Sequence, residues 1–140
     1  MTIKADSLSD GVVHKAIVVR NLTRTQIVQY AGASGDYNPL HSDEVFAKEV
    51  AGYPSVFAHG MLTMGMTGAM LTDYVGDGRL TKFGVRFTNQ VWPGDDLDAT
   101  ATFTGFEEGS QNTLANFDVL TTNQDGAVVL QGYAQARVDP

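Results

Sequence analysis

The sequence predicts an α+β domain in which one antiparallel sheet curls around a long apolar helix. Three observations carry this reading. Residues 59–75 hold no charge before Asp73 and are apolar on nearly every side, as a buried helix is. Beyond residue 80 the pattern changes to a period of two, the mark of strands buried on one face. At 140 residues and 43% hydrophobic composition, the chain fits a single domain spanning 1–140, and a domain of this size buries roughly two-thirds of its unfolded surface. One sheet paired with one buried helix must wrap around it. The edges it leaves favour association through an edge strand.

Residues 1–11 are polar and read as a poorly ordered arm. Val12 to Arg20 is rich in β-branched residues and predicts a strand. Thr23 and Gln26 have the spacing of a capping box, and Ile27, Tyr30 and Ala31 follow at helical spacing. A helix over 24–33 is expected, bracketed at its end by Gly32 and Gly35. Asn38 precedes Pro39, which pushes it out of the helical region and makes a bend. Ser42 then reads as the N-cap of a short helix of about 8 to 10 residues. Asp43 and Glu44 would sit in its first turn, where the helix dipole favours acids, and Gly52 with Pro54 stops it. Within 59–75, Gly65 and Gly68 each cost about 1 kcal/mol in helix propensity, which predicts close approach of another backbone. In the second half, Phe83, Val85 and Phe87 alternate with polar neighbours, and Trp92-Pro93-Gly94-Asp95 makes a turn. Leu97 to Phe103, Ala115 to Val119 and Val128 to Val138 follow as alternating strands, the last two joined by the hairpin signal Asn123 to Gly126. An antiparallel meander is expected.

A formal net charge of -7 argues against nucleic acid and anionic membrane surfaces as partners. An anionic ligand would need a local basic patch. The absence of cysteine removes disulfides, thiolate metal sites and a cysteine nucleophile. The first ten residues lack the apolar core of a signal peptide, and no run reaches the roughly 18 apolar residues of a membrane span, so a cytoplasmic protein is expected. His14, His41 and His59 show no metal-ligand spacing, and no metal is expected.

Asp36 and His41 flank the Asn-Pro bend. A carboxylate and an imidazole so placed can share general acid and base work on one water; from the spacing alone, the better reading is Asp36 as a turn former and His41 as a surface residue ahead of a helix. His59-Gly60 opens the apolar helix. Its free amides, Gly60 above all, could face a developing oxyanion, or the pair could be a simple cap. Spacing alone leaves both pairs of readings open.

Taken together, Ala33-Ser34-Gly35-Asp36-Tyr37-Asn38-Pro39-Leu40-His41 and Ala58-His59-Gly60-Met61-Leu62 resemble the hydratase-2 motif of MaoC-like proteins. This group includes (R)-specific enoyl-CoA hydratases and (3R)-hydroxyacyl-thioester dehydratases. Val85-Arg86-Phe87 and Pro93-Gly94-Asp95 extend the likeness. The resemblance implies a hotdog fold, a dimer joined through its sheets, and reversible hydration of a trans-2-enoyl thioester, carried by CoA or acyl carrier protein, to the (3R)-3-hydroxyacyl thioester. It implies Asp36 and His41 as the water-activating pair and Gly60 as the amide polarising the carbonyl. Asn38 and His59 would support and position; some members place a serine later in the central helix, where this chain has Thr67-Gly68, so Thr67 is a hydroxyl candidate that the resemblance does not carry over. No cofactor is implied. Lys82 and Arg86 are candidates for phosphate contacts, although a solvated strand face is the better reading of them. Met61, Met64, Met66 and Met70 fit core filling better than an acyl tunnel.

Two other classes remain. A hotdog thioesterase would carry a carboxylate near the start or middle of the central helix, and residues 60–72 hold none. An acyl-thioester-binding or structural subunit that needs a partner chain is the second; for an active chain, a heteromer with a second hotdog subunit is the alternative to a homodimer or higher homo-oligomer. Acyl length, carrier and direction are not encoded in the motifs.

Overall fold

The computed structural model describes residues 2–140. Five antiparallel strands form one sheet: β1 (Val13–Val19), β2 (Leu80–Phe87), β3 (Leu97–Phe106), β4 (Leu114–Thr122) and β5 (Val128–Arg137). Two α-helices, α1 (Arg24–Ser34) and α2 (Gly60–Val75), complete the main elements. The sheet wraps α2, giving the hotdog arrangement.

Strand order is β1-β3-β4-β5-β2. Only β3, β4 and β5 form the expected meander; β2 pairs with β5 at the far edge rather than with β3. Residues 88–96 are too long for a hairpin, whose loops run to about 5 residues. They instead cross the N-terminal end of α2, pinned by Ala58 N–H to the Val91 carbonyl (2.8 Å) and Gly94 N–H to the Leu22 carbonyl (2.7 Å). This crossing carries the chain past the start of α2 and places that helix end among loops.

Register fixes which side chains face the helix. Ala16 pairs with Ala99, Ala101 with Val119, Phe117 with Ala134, and Phe83 with Ala134 on the other side. Paired residues share a face, so Leu97, Ala99, Ala101, Phe103, Phe117 and Val119 line the concave side and are buried. Small alanines opposite large phenylalanines leave room for α2, whose Met70, Leu71 and Val75 complete this core. Full burial of Leu71 stabilises by about 1.5–3 kcal/mol. His14 also lies on the concave side, stacked on Tyr74 with ring centroids 4.1 Å apart. Burial pushes its imidazole below the ordinary histidine range.

Several expectations are corrected. The N-terminal arm is tied down: Ala5 N–H reaches the Asp139 carbonyl (2.7 Å), Asp139 N–H reaches Ile3 (3.1 Å), and Leu8 is buried. Its apolar residues Ile3 and Ala5 pack on the core that Leu8 joins, which a polar average hides. The helix after His41 is capped by Asp43, not Ser42: the Asp43 carboxylate accepts Phe46 N–H at 3.1 Å, and Ser42 belongs to the preceding turn. Its body is a π-helical segment, Phe46–Val50, closed by Ala51 N–H to the Phe46 carbonyl. Neither helix glycine meets a backbone. A side chain at Gly68 would meet the Phe83 ring at 3.2 Å, and Gly65 faces open space. Finally, α2 is not covered all round. Met61 is 55% exposed, and Gly65 and Ala69 continue that stripe at one-turn spacing, because a single sheet can cover only one side of a helix.

No helix among the described residues is long and apolar enough to cross a membrane.

Candidate active site

The site is assembled from the end of α1, the Asn-Pro bend, and the start of α2. α1 begins with the expected capping box: Thr23 Oγ1 accepts Gln26 N–H at 3.1 Å, and the Gln26 side chain accepts Thr23 N–H at 2.9 Å. It ends at Gly35, in the left-handed region at φ 76°, a geometry that favours glycine. The chain therefore leaves α1 sharply, directly into Asp36.

From there, side chains fold the bend locally. Asp36 Oδ1 accepts Asn38 N–H (3.2 Å), and Asn38 Oδ1 accepts Leu40 N–H (3.0 Å), capping the single turn Pro39–His41. Pro39 suits the first position of that turn, where its missing N–H leaves nothing unpaired. Asn38 thus holds the loop through its own side chain. The remaining carboxylate oxygen of Asp36 takes no part in the bend, and the residue is exposed.

His41 faces inward. Its Nδ1 lies 2.6 Å from the Phe57 carbonyl. A carbonyl can only accept, so Nδ1 carries the proton and Nε2 presents a lone pair. Burial lowers the basicity of this imidazole below the ordinary histidine range; the Phe57 hydrogen bond opposes that, the His59 ring adds to it, and the Asp36 charge opposes it again.

His59 lies beneath. It is 2% exposed, stacked on His41 with centroids 3.7 Å apart and planes at 27°, and in edge contact with Tyr30 at 4.9 Å. Its Nε2 donates to the backbone carbonyl of Asp36 at 3.0 Å, tying the Asp36 loop to the start of α2, while Nδ1 is buried without a partner among the described residues. Gly60 follows as the first helical residue. The opening amides of a helix have no intrahelical acceptor, and no side chain caps this one.

Asp36, His41 and His59 offer one potential ligand atom each, all within 4.8 Å of one another. Sequence spacing showed no metal ligands, because the two histidines meet through the fold and not through a helical or turn repeat. The stacking still does not suit a shared ion. Nearly parallel rings aim their lone pairs side by side, where a cation needs them convergent, and His59 Nε2 is already committed.

Beside Gly60 opens a cavity of about 300 Å³. Phe57, Gly60 and Phe87 form its apolar wall, and Thr88, Asn89 and Gln90 its polar rim. Phe57 joins the two halves of the site: its carbonyl holds His41, its ring stands edge-on to His41 at 5.3 Å, and it borders the cavity. Trp92 and Tyr53 extend that aromatic wall, 5.7 and 4.9 Å from Phe57.

The structure therefore brings Asp36, Asn38, His41, His59 and Gly60 together. Thr67 lies apart, fully buried, its hydroxyl 2.8 Å from that of Thr121 on β4. Lys82 and Arg86 are exposed and alternate with Phe83 and Phe87, which places them on the convex face, away from the cavity. Sequence reasoning missed the roles of Phe57, Tyr30 and Phe87. The Phe57 contribution is a carbonyl and has no residue signature; Phe87 was visible only as one more alternating strand residue.

Comparison with known proteins agrees with this fold. Residues 11–124 match the family described as MaoC like domain. The chain is 45% identical over 67 residues to 3-hydroxyacyl-thioester dehydratase Y of Mycobacterium tuberculosis, covering 46% of this chain and 23% of that protein. It is 37% identical over 101 residues to enoyl-CoA hydratase ChsH3 of the same organism, covering 70% and 32%. The match thus spans less than a third of either relative. Among solved structures, the (R)-hydratase of A. caviae superposes with a TM-score of 0.82 at 26% identity, over 94% of this chain and 98% of that one. With its fold, its paired motifs and a match across most of its length, the chain belongs to the MaoC-like family of hydratases and dehydratases.

Proposed function

We propose that this chain reversibly hydrates a trans-2-enoyl thioester, carried by CoA or an acyl carrier protein, to the (3R)-3-hydroxyacyl thioester. The observation that supports this best is the His41 geometry: one ring nitrogen is spent on the Phe57 carbonyl, the other keeps its lone pair, and the ring offers a nitrogen within 4.8 Å of Asp36 and His59. A water held by Asp36 and His41 Nε2 gives up a proton as its oxygen bonds to C3. The C2–C3 π electrons move to the thioester oxygen, where the Gly60 amide stabilises the enolate, and C2 then takes a proton from the pair. General acid-base work contributes about 10²- to 10⁴-fold and one oxyanion donor about 10²- to 10³-fold. Neither a metal nor a redox group enters these steps.

Asn38 and His59 act as positioning residues, the first through the bend and the second through its bond to the Asp36 carbonyl. Thr67 has its hydroxyl engaged with Thr121, which favours packing over substrate contact. Lys82 and Arg86 would meet substrate phosphates only by reaching around the β2 edge. That edge is unpaired on one side, and the uncovered stripe of α2 adjoins the concave face. Both support association with a second copy or a second hotdog subunit.

The test is loss of enoyl-thioester absorbance with trans-2-enoyl-CoA substrates, with chiral analysis of the product. Asp36→Asn and His41→Ala should each remain folded by circular dichroism and lose at least about a hundredfold in turnover. Retained activity in either variant removes the assignment. Co-purification of a second chain, with no activity in its absence, would favour the heteromer.

A further inference from the structure

Resting on the hydration reading above, we infer that Phe87 sets the acyl specificity of the site: its ring occupies the space beside the thioester α-carbon, so straight enoyl groups are accepted and α-branched ones are excluded. The evidence is the fit between Gly60 and Phe87. A Cβ placed on Gly60 would lie 3.0 Å from Phe87 Cε2 and 3.1 Å from both Cδ2 and Cζ. Three atoms of one ring therefore rest against the first residue of α2, the residue whose amide would receive the carbonyl oxygen.

The placement follows from the sheet. Phe87 is the last residue of β2, paired with Leu130 and directed to the concave side. Beyond it the chain turns to cross the start of α2. Its ring is not core filling: it is 45% exposed and lines the cavity together with Gly60 and Phe57. At about 300 Å³ the cavity is at the small end for a ligand pocket. A carbonyl oxygen accepting the Gly60 N–H sits about 2.9 Å from that nitrogen, and the α-carbon is only two bonds further on. A methyl branch at that carbon adds its bulk within reach of the ring. One carbon more or less in a tight apolar pocket changes selectivity by about 10- to 200-fold.

The experiment compares trans-2-butenoyl-CoA with trans-2-methyl-2-butenoyl-CoA in the wild type, Phe87→Ala and Phe87→Leu. Alongside turnover, equilibrium binding of butyryl-CoA and 2-methylbutyryl-CoA is followed through Trp92, the chain's one tryptophan, which contacts cavity-lining Phe57. The wild type should prefer the unbranched member by at least tenfold in kcat/KM. Phe87→Ala should shrink that preference at least tenfold, and Phe87→Leu should fall between. Should the alanine variant fail to fold, the leucine variant decides the matter by the same comparison. An unchanged ratio, or an equal loss with both substrates, overturns the inference while leaving hydration intact. Where the wild type hydrates neither substrate, binding decides: a preference for butyryl-CoA that shrinks in Phe87→Ala supports the specificity role apart from hydration, and a preference unchanged in Phe87→Ala overturns it.

Discussion

Lowering the pH tests the His41 geometry directly. With Nδ1–H held by the Phe57 carbonyl at 2.6 Å, the reactive form is the neutral imidazole with a free Nε2 lone pair. Burial disfavours the imidazolium, and this outweighs the opposing effects of the Phe57 bond and the Asp36 charge, so the residue titrates below its ordinary value of about 6.5. An unshifted histidine would leave half the plateau activity at pH 6.5 and about a tenth at pH 5.5. The buried one should retain more than half at pH 6.5 and clearly more than a tenth at pH 5.5. The measurement is kcat/KM against pH from 5 to 8, since this ratio reports the free enzyme. Stability follows the same sign. Between the folded and unfolded values the unfolded chain binds more protons, so His41 favours folding fully above about pH 6.5 and progressively less as the pH falls through that window. A midpoint at or above 6.5 would refute the burial argument.

Three further outcomes are expected. Thr67→Val should cost about 1–3 kcal/mol, because it strands the Thr121 hydroxyl in a fully buried position, while Thr67→Val with Thr121→Val should recover most of that; urea melts of the four proteins close the cycle, and kcat should be unaltered throughout. His59→Ala should lower kcat more than it raises KM by loosening the Asp36 loop; unchanged kcat in a folded variant would show that the tie has no catalytic consequence. Gly132→Ala should destabilise by at least about 3 kcal/mol, the upper end of ordinary overpacking, since its Cβ would lie 2.7 Å from Val85 Cα and press on the Gly84 carbonyl; a denaturation midpoint close to wild type would show that the strands can part there.

Much of the scaffold was legible from local patterns. The capping box at Thr23 and Gln26, the strands beyond residue 80, and the helix after His59 all depend on contacts within a few residues or on a simple alternation. The Asp36 and His41 bend was legible for the same reason, since Asn38 and Pro39 shape it through bonds two residues long. Strand order was not. The swap of β2 to the outer edge depends on where residues 88–96 cross, and that is decided by distant partners such as Leu22 and Ala58.

Composition, periodicity and two short motifs determined the class of fold, the family and the residues worth testing, because each is written in near neighbours along the chain. Tertiary structure alone decided how those residues meet. The stacking of His59 under His41, the carbonyl of Phe57 that fixes the imidazole tautomer, and the ring of Phe87 against Gly60 join positions 16 to 27 residues apart. Such contacts arise only once burial has closed the core, and no spacing in the sequence encodes them.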